Sequence, residues 1–213
     1  MEIFSKKLAG VSLLLGSLMA VLTMVLHPIG GDLQYIVKIS TVLIFSHSLA
    51  ITCVPLIAFG LWGLCNLLAT PSRLAMLGFF VAMLGLGAAV LAGTINGLVL
   101  PKFAGHFVDR KVDDGTLDAI LGYARYFNMA LAYIFMASIT VAILIWSVLM
   151  MGRIGMIKWF GYYGLLVVLF GIVALLSRSN MISVTLFGTF VFAMASWLVL
   201  AGVLLIKTNL PEK

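Results

Sequence analysis

Residues 74–100 read LAMLGFFVAMLGLGAAVLAGTINGLVL, with no charged side chain anywhere in the run. A helix rises 1.5 Å per residue, so roughly 20 apolar residues cross the ~30 Å hydrocarbon core of a bilayer. Inside that core the backbone must satisfy its own hydrogen bonds, and this stretch therefore predicts a membrane-crossing helix. The same reading extends to five other blocks. The six spans lie at about Leu8–Leu26, Val42–Leu68, Leu74–Leu100, Ala119–Met151, Ile157–Leu176 and Ile182–Ile206. Turn residues separate them: Pro28, the Thr70-Pro71-Ser72-Arg73 run, Pro101 at the close of the third, Gly152-Arg153, and Ser177 to Asn180. The expected fold is an all-α integral membrane protein, a single domain over 1–213 with six transmembrane helices in one bundle.

Composition agrees with that solvent. Hydrophobic residues make up 63% of the chain and charged residues only 9%, which leaves no stretch for a separate soluble domain. The formal charge of +6 does not indicate nucleic acid, because the basic residues are scattered among the loops instead of clustered on one face. Cys53 and Cys65 share one apolar segment at a helical separation of ~18 Å, too far for a disulfide. They read as small core residues. The apolar run after Lys6-Lys7 continues to Leu26 without a small-residue cleavage site, so it reads as a retained first span.

An even number of spans puts both termini on one side. That side carries Lys6, Lys7, Arg73, Arg153, Lys158, Lys207 and Lys213; the other carries Lys38, Lys102, Arg110, Lys111, Arg125 and Arg178. The counts are close, but the first set sits in tight turns next to span ends, where basic residues weigh most. The expected location is a bacterial inner (plasma) membrane with both termini cytoplasmic and an outer loop over 101–116. The second and fourth segments are helical in pattern over 33–68 and 116–151, roughly 54 Å each at the helical rise. Both are predicted to extend on the outer side, with Asp113-Asp114-Gly115-Thr116 capping the fourth. Pro55 removes a backbone donor inside the second. In the third span Gly85, Ala89, Gly93 and Gly97 recur every four residues. This small-residue stripe suits close approach of another helix or of a second copy.

Counting about 20 residues outward from each inner helix end locates the polar side chains. The count reaches His27 on the first span, His47 on the second, Asn96 on the third and Arg178 on the fifth. Asn128 and Arg125 lie one to two turns higher on the fourth, three apart and so on one face. His27, His47, Asn96, Arg125 and Asn128 are thus the candidate ligand-binding set at the outer rim. An ionisable group at such depth is costly to leave in lipid and points to a packed interior or a cavity. Asp32, His106, Asp109 and Arg178 are secondary candidates. His106 and Asp109 lie three apart, too few ligands for a metal site on their own. A single b-type haem or a metal held by His27 and His47 is a cofactor option, since haem iron accepts two axial imidazoles.

No metalloprotease, nucleophile-elbow or phosphate-loop motif occurs. No Asp or Glu lies within the central spans, so an acid-based proton relay has no carriers. Three expectations remain. The first is binding or sensing of a small amphiphile, lipid headgroup, quinone or metal at an outer-leaflet pocket. The second is an enzyme acting on a lipid, with a histidine base and Arg125 or Arg178 holding an anionic group. The third is a structural subunit packing through the glycine stripe. Membrane lipids are partners in all three.

Overall fold

The computed structural model describes residues 3–28, 31–69, 73–110, 114–177 and 184–207, and the secondary structure of these residues is helical throughout. Six helices are long and apolar enough to cross a membrane. The elements are α1 (Ile3–Leu26), α2 (Leu33–Lys38), α3 (Ser40–Leu68), α4 (Leu74–Thr94), a π-helical turn (Ile95–Val99), α5 (Leu100–Phe107), α6 (Asp114–Met151), α7 (Met156–Leu176) and α8 (Val184–Lys207). Contacts run α1 to α3, α3 to α4, α4 to α6, α6 to α7 and α7 to α8, and α8 returns to α1. The long helices therefore close a ring in chain order.

Outward faces are as apolar as inward ones. On α1, Leu8, Leu15, Leu18, Leu22 and Val25 are exposed, while Ala9, Leu13, Ser17 and Ala20 are buried. Apolar exposure on this scale is what a hydrocarbon solvent permits. Without a hydrophobic drive between helices in lipid, cohesion depends on close packing, and small residues supply it. A methyl group on Gly10 of α1 would stand 2.7 Å from the Gly202 carbonyl of α8, so the two backbones nearly touch. Gly161, Gly164 and Gly171 bring α7 equally close to Ser147 and Thr140 of α6.

The axis of the ring is filled at the end where α1 begins and α8 finishes. Trp146 of α6 stacks on Trp197 of α8, with ring centres 5.9 Å apart and planes 9° from parallel. Phe160 of α7 stacks on the same Trp197 at 5.2 Å. The Trp146 indole N–H donates to the Ala75 carbonyl of α4 at 3.1 Å, satisfying a polar group in the plug.

Four details differ from the sequence reading. The second segment is not one long helix. It breaks at Ile39 (φ −100, ψ 9), and the short α2 begins where Asp32 Oδ1 accepts a hydrogen bond from the Tyr35 N–H at 2.8 Å. The break turns Ile36 onto Ala104 of α5 and Leu43 of α3, giving a small second core. Pro101 does not close the third segment, which stays helical to Phe107. The proline falls in the first turn of α5, where its missing N–H is tolerated, after the wide π turn has shifted the hydrogen-bond register. Consequently 101–107 and 114–116 of the expected outer loop are helix, and the fourth segment runs unbroken for 38 residues from Asp114. Asp113 lies outside the described residues.

The glycine stripe faces this chain's own helices. Gly85 meets Ser138 and Phe135 of α6, Gly93 meets Ile51 of α3, and Gly97 meets His47. Among the described residues its neighbours are side chains and backbone of α3 and α6.

Candidate functional site

The far end of the ring axis, opposite the tryptophan plug, is hollow. A chamber of about 200 Å³ lies among Ala50 and Cys53 of α3, Ala89 of α4, Ala132 and Phe135 of α6 and Met194 of α8. Ile57, Leu86 and Met194 line it and also border the narrow space above Trp146 and Trp197, so the plug is its floor. Beyond it opens a vestibule of about 280 Å³, lined by Pro28, Ile36, Leu43, Leu121 and Arg125 among others. His27, His47, Asn96 and Asn128 line both spaces. They form a polar collar between an apolar chamber and an outer mouth.

Local sequence explains how each group arrives there. A proline disfavours helix in the residue before it, and α1 ends at Leu26 with His27 preceding Pro28. The His27 ring then folds back so that Nδ1 lies 2.9 Å from the Pro28 carbonyl oxygen. His47 stands on α3, 5% exposed, with Nδ1 2.9 Å from the Leu43 carbonyl one turn earlier and 3.3 Å from Ser46 Oγ. Ser46 Oγ donates to that same carbonyl at 3.2 Å. Asn96 sits in the π turn. A π turn inserts one residue into the helical register and commonly marks a functional position. It also presses Gly97 onto His47, where a side chain would overlap the histidine Cβ.

The two imidazoles lie side by side, with ring centres 5.0 Å apart and planes inclined at 55°. A carbonyl oxygen can only accept, so Nδ1 of each ring carries the proton and donates it. Each Nε2 is left as a lone pair. Burial pushes the His27 imidazole below its ordinary value against the opposing pull of its hydrogen bond to Pro28, which keeps it neutral at physiological pH. The Asn96 and Asn128 amides form no hydrogen bond with any described residue. No Asp or Glu lines either space among the described residues.

The remaining candidates separate from this group. Arg125 is exposed at the vestibule and forms no ion pair with Asp118 among the described residues. Asp32 is the cap of α2. His106 is exposed on α5 against Phe107, ring centres 4.8 Å apart, and neither it nor the exposed Asp109 lines the chamber or the vestibule. Arg178 lies outside the described residues. A haem between His27 and His47 would need the rings on opposite sides of the iron, their centres ~6 Å apart for ~2 Å metal–nitrogen bonds. The observed ring centres stand 5.0 Å apart with planes inclined at 55°. No group of three or more His, Cys, Asp or Glu side chains suited to a metal occurs among the described residues.

Sequence reasoning missed the chamber walls. Thr23 and Met24 of α1 and Phe187, Val191 and Met194 of α8 line it, yet nothing in a uniformly apolar helix marks them. Gly97 stood in the packing stripe, but nothing in the sequence marked His47 as its neighbour.

No protein-family model matches the chain, and neither a curated protein nor a solved structure matches it.

Proposed function

We propose that this is a six-span integral membrane protein that binds a small amphiphile. The apolar tail enters the chamber and the polar head rests at the His27–His47–Asn96–Asn128 collar. The observation that carries this reading is the arrangement of polarity along one axis: apolar chamber, polar collar, then a mouth with Arg125. An apolar cavity of this size does not hold water comfortably. Left empty, a space of about 200 Å³ forfeits the dispersion energy of its walls. A hydrocarbon tail recovers that energy, and the Asn96 and Asn128 amides, with no partner among the described residues, supply hydrogen bonds to a head. The two spaces together fall within the ~300–1,000 Å³ typical of small-molecule sites.

The vestibule faces outward in this reading. Basic residues of the short turns flank the termini's face, which supports a cytoplasmic location for both termini. The broken second segment and the prolonged third and fourth segments then build the mouth on the outer side.

Straight-chain alcohols of increasing length, added to the protein in nanodiscs, test the proposal. Thermal stabilisation should rise with chain length and level off once the chamber is full. Ala132→Phe, which blocks the chamber from α6, should abolish the dependence. The same length profile in this variant would mean that the alcohols act from the surrounding lipid.

A further inference from the structure

The collar's hydrogen-bond polarity identifies the head. His27 and His47 each spend Nδ1–H on a backbone carbonyl, at 2.9 Å in both cases, and so hold their rings in one tautomer and one orientation. Both rings border the chamber and the vestibule, and their centres are 5.0 Å apart. What they offer to an occupant is two adjacent lone pairs. Two acceptors cannot satisfy each other, and neither Nε2 has a hydrogen-bond partner among the described residues. Asn96 and Asn128 each add a carbonyl acceptor and an amide donor. Thr23 is already committed, since its hydroxyl donates to the Met19 carbonyl. Arg125, the one cation at the mouth among the described lining residues, is exposed.

We infer that the site takes an uncharged, hydroxyl-bearing amphiphile, with two hydroxyls donating to Nε2 of His27 and Nε2 of His47. This rests on the amphiphile reading above and narrows it to a head class. The Asn amides complete the arrangement by donating to the hydroxyl oxygens. A carboxylate or phosphate at the collar would set its own lone pairs against the two imidazole lone pairs. An ether or ester head has no donor to give. The vicinal diol is the simplest group that meets both nitrogens at once, because its two O–H groups are adjacent and independently directed.

Four probes built on one ten-carbon chain differ in the head: 1,2-decanediol, 1-decanol, decyl methyl ether and decanoate. Their affinities are measured on the full chain in nanodiscs at neutral pH, and those of the two histidine variants alongside, so that partitioning into lipid cancels in each ratio. The expected order is diol, then alcohol, then ether, with about tenfold lost for each hydroxyl removed; decanoate is expected to be weaker than the diol. His27→Phe and His47→Phe should each compress the diol-to-ether ratio by about tenfold while ether binding persists. His27 lies outside the helices, so its variant stays informative should His47→Phe fail to fold.

Equal binding of diol and ether by the wild type overturns the inference and leaves the chamber as a tail site without head selection. Decanoate binding tightest also overturns it. Binding by none of the four removes the amphiphile reading as well. Zinc chloride binding to the wild type but not to the histidine variants, with no ranking among the amphiphiles, assigns the histidine pair to a metal and overturns the inference.

Discussion

Gly87 of α4 and Gly97 of the π turn lie ten residues apart on one continuous helical segment, and alanine at the two positions should act in opposite directions. A methyl at Gly97 would overlap the Cβ of His47 and stand 2.7 Å from its Cγ, while a methyl at Gly87 meets nothing within 4 Å. His47 cannot retreat freely, because its ring is held by the Leu43 carbonyl and is 5% exposed. Overpacking of this kind typically costs about 1–3 kcal/mol. At Gly87 the change removes backbone freedom from the unfolded chain and gains up to ~1 kcal/mol of helix propensity. For a chain of this length each kcal/mol moves the thermal midpoint by about 2–4 °C. Gly97→Ala should therefore melt several degrees below wild type in detergent, and Gly87→Ala at or slightly above it. The diol affinity of Gly97→Ala should also fall, since the histidine at the collar is displaced. Matching midpoints for the two variants would refute the close packing of the π turn on His47.

Three further outcomes are expected. Ala132→Leu adds three carbons inside the chamber. By filling part of the empty space it should raise the thermal midpoint of the ligand-free protein while weakening amphiphile binding; unchanged affinity would place the tail elsewhere. His27 has its proton affinity depressed by burial, so the folded state binds fewer protons than the unfolded one, whose imidazole titrates near ~6.5. Stability is then fully present above that pH and is lost as the pH falls from there through the folded value. The slope of thermal midpoint against pH in this range should flatten in His27→Gln, and an unaltered slope would discount the buried neutral imidazole. A topology reporter fused after Lys213 should read as cytoplasmic; an external readout would reverse the orientation.

The spans were legible because length and apolarity alone set them. Relative height along the bundle was legible for the two histidines. Helical rise is constant, so counting from the inner ends put His27 and His47 at one height, and their rings lie 5.0 Å apart. Azimuth was not. Leu13 is fully buried and Leu15 is 51% exposed, yet in a lipid solvent both positions favour the same side chain. For that reason the contribution of α8 to the chamber and the tryptophan plug left no trace in the pattern. The break at Ile39 and the helix through Pro101 depended on packing between α2 and α5, a contact between segments far apart in sequence. Asp32 looked like a ligand candidate because a capping aspartate and a binding aspartate are the same residue until the Tyr35 N–H is located.

The central claim is that an apolar tail occupies the space between the collar and the tryptophan plug. Photocrosslinking with a 1,2-diol carrying a diazirine at the far end of its chain tests it most directly, with labelled residues read by peptide mass spectrometry. The label should fall on chamber walls such as Phe135, Phe187 and Met194, and excess unlabelled 1,2-decanediol should suppress it. Labelling confined to outward residues such as Leu15, Leu18 and Leu166, unaffected by competitor, would contradict it.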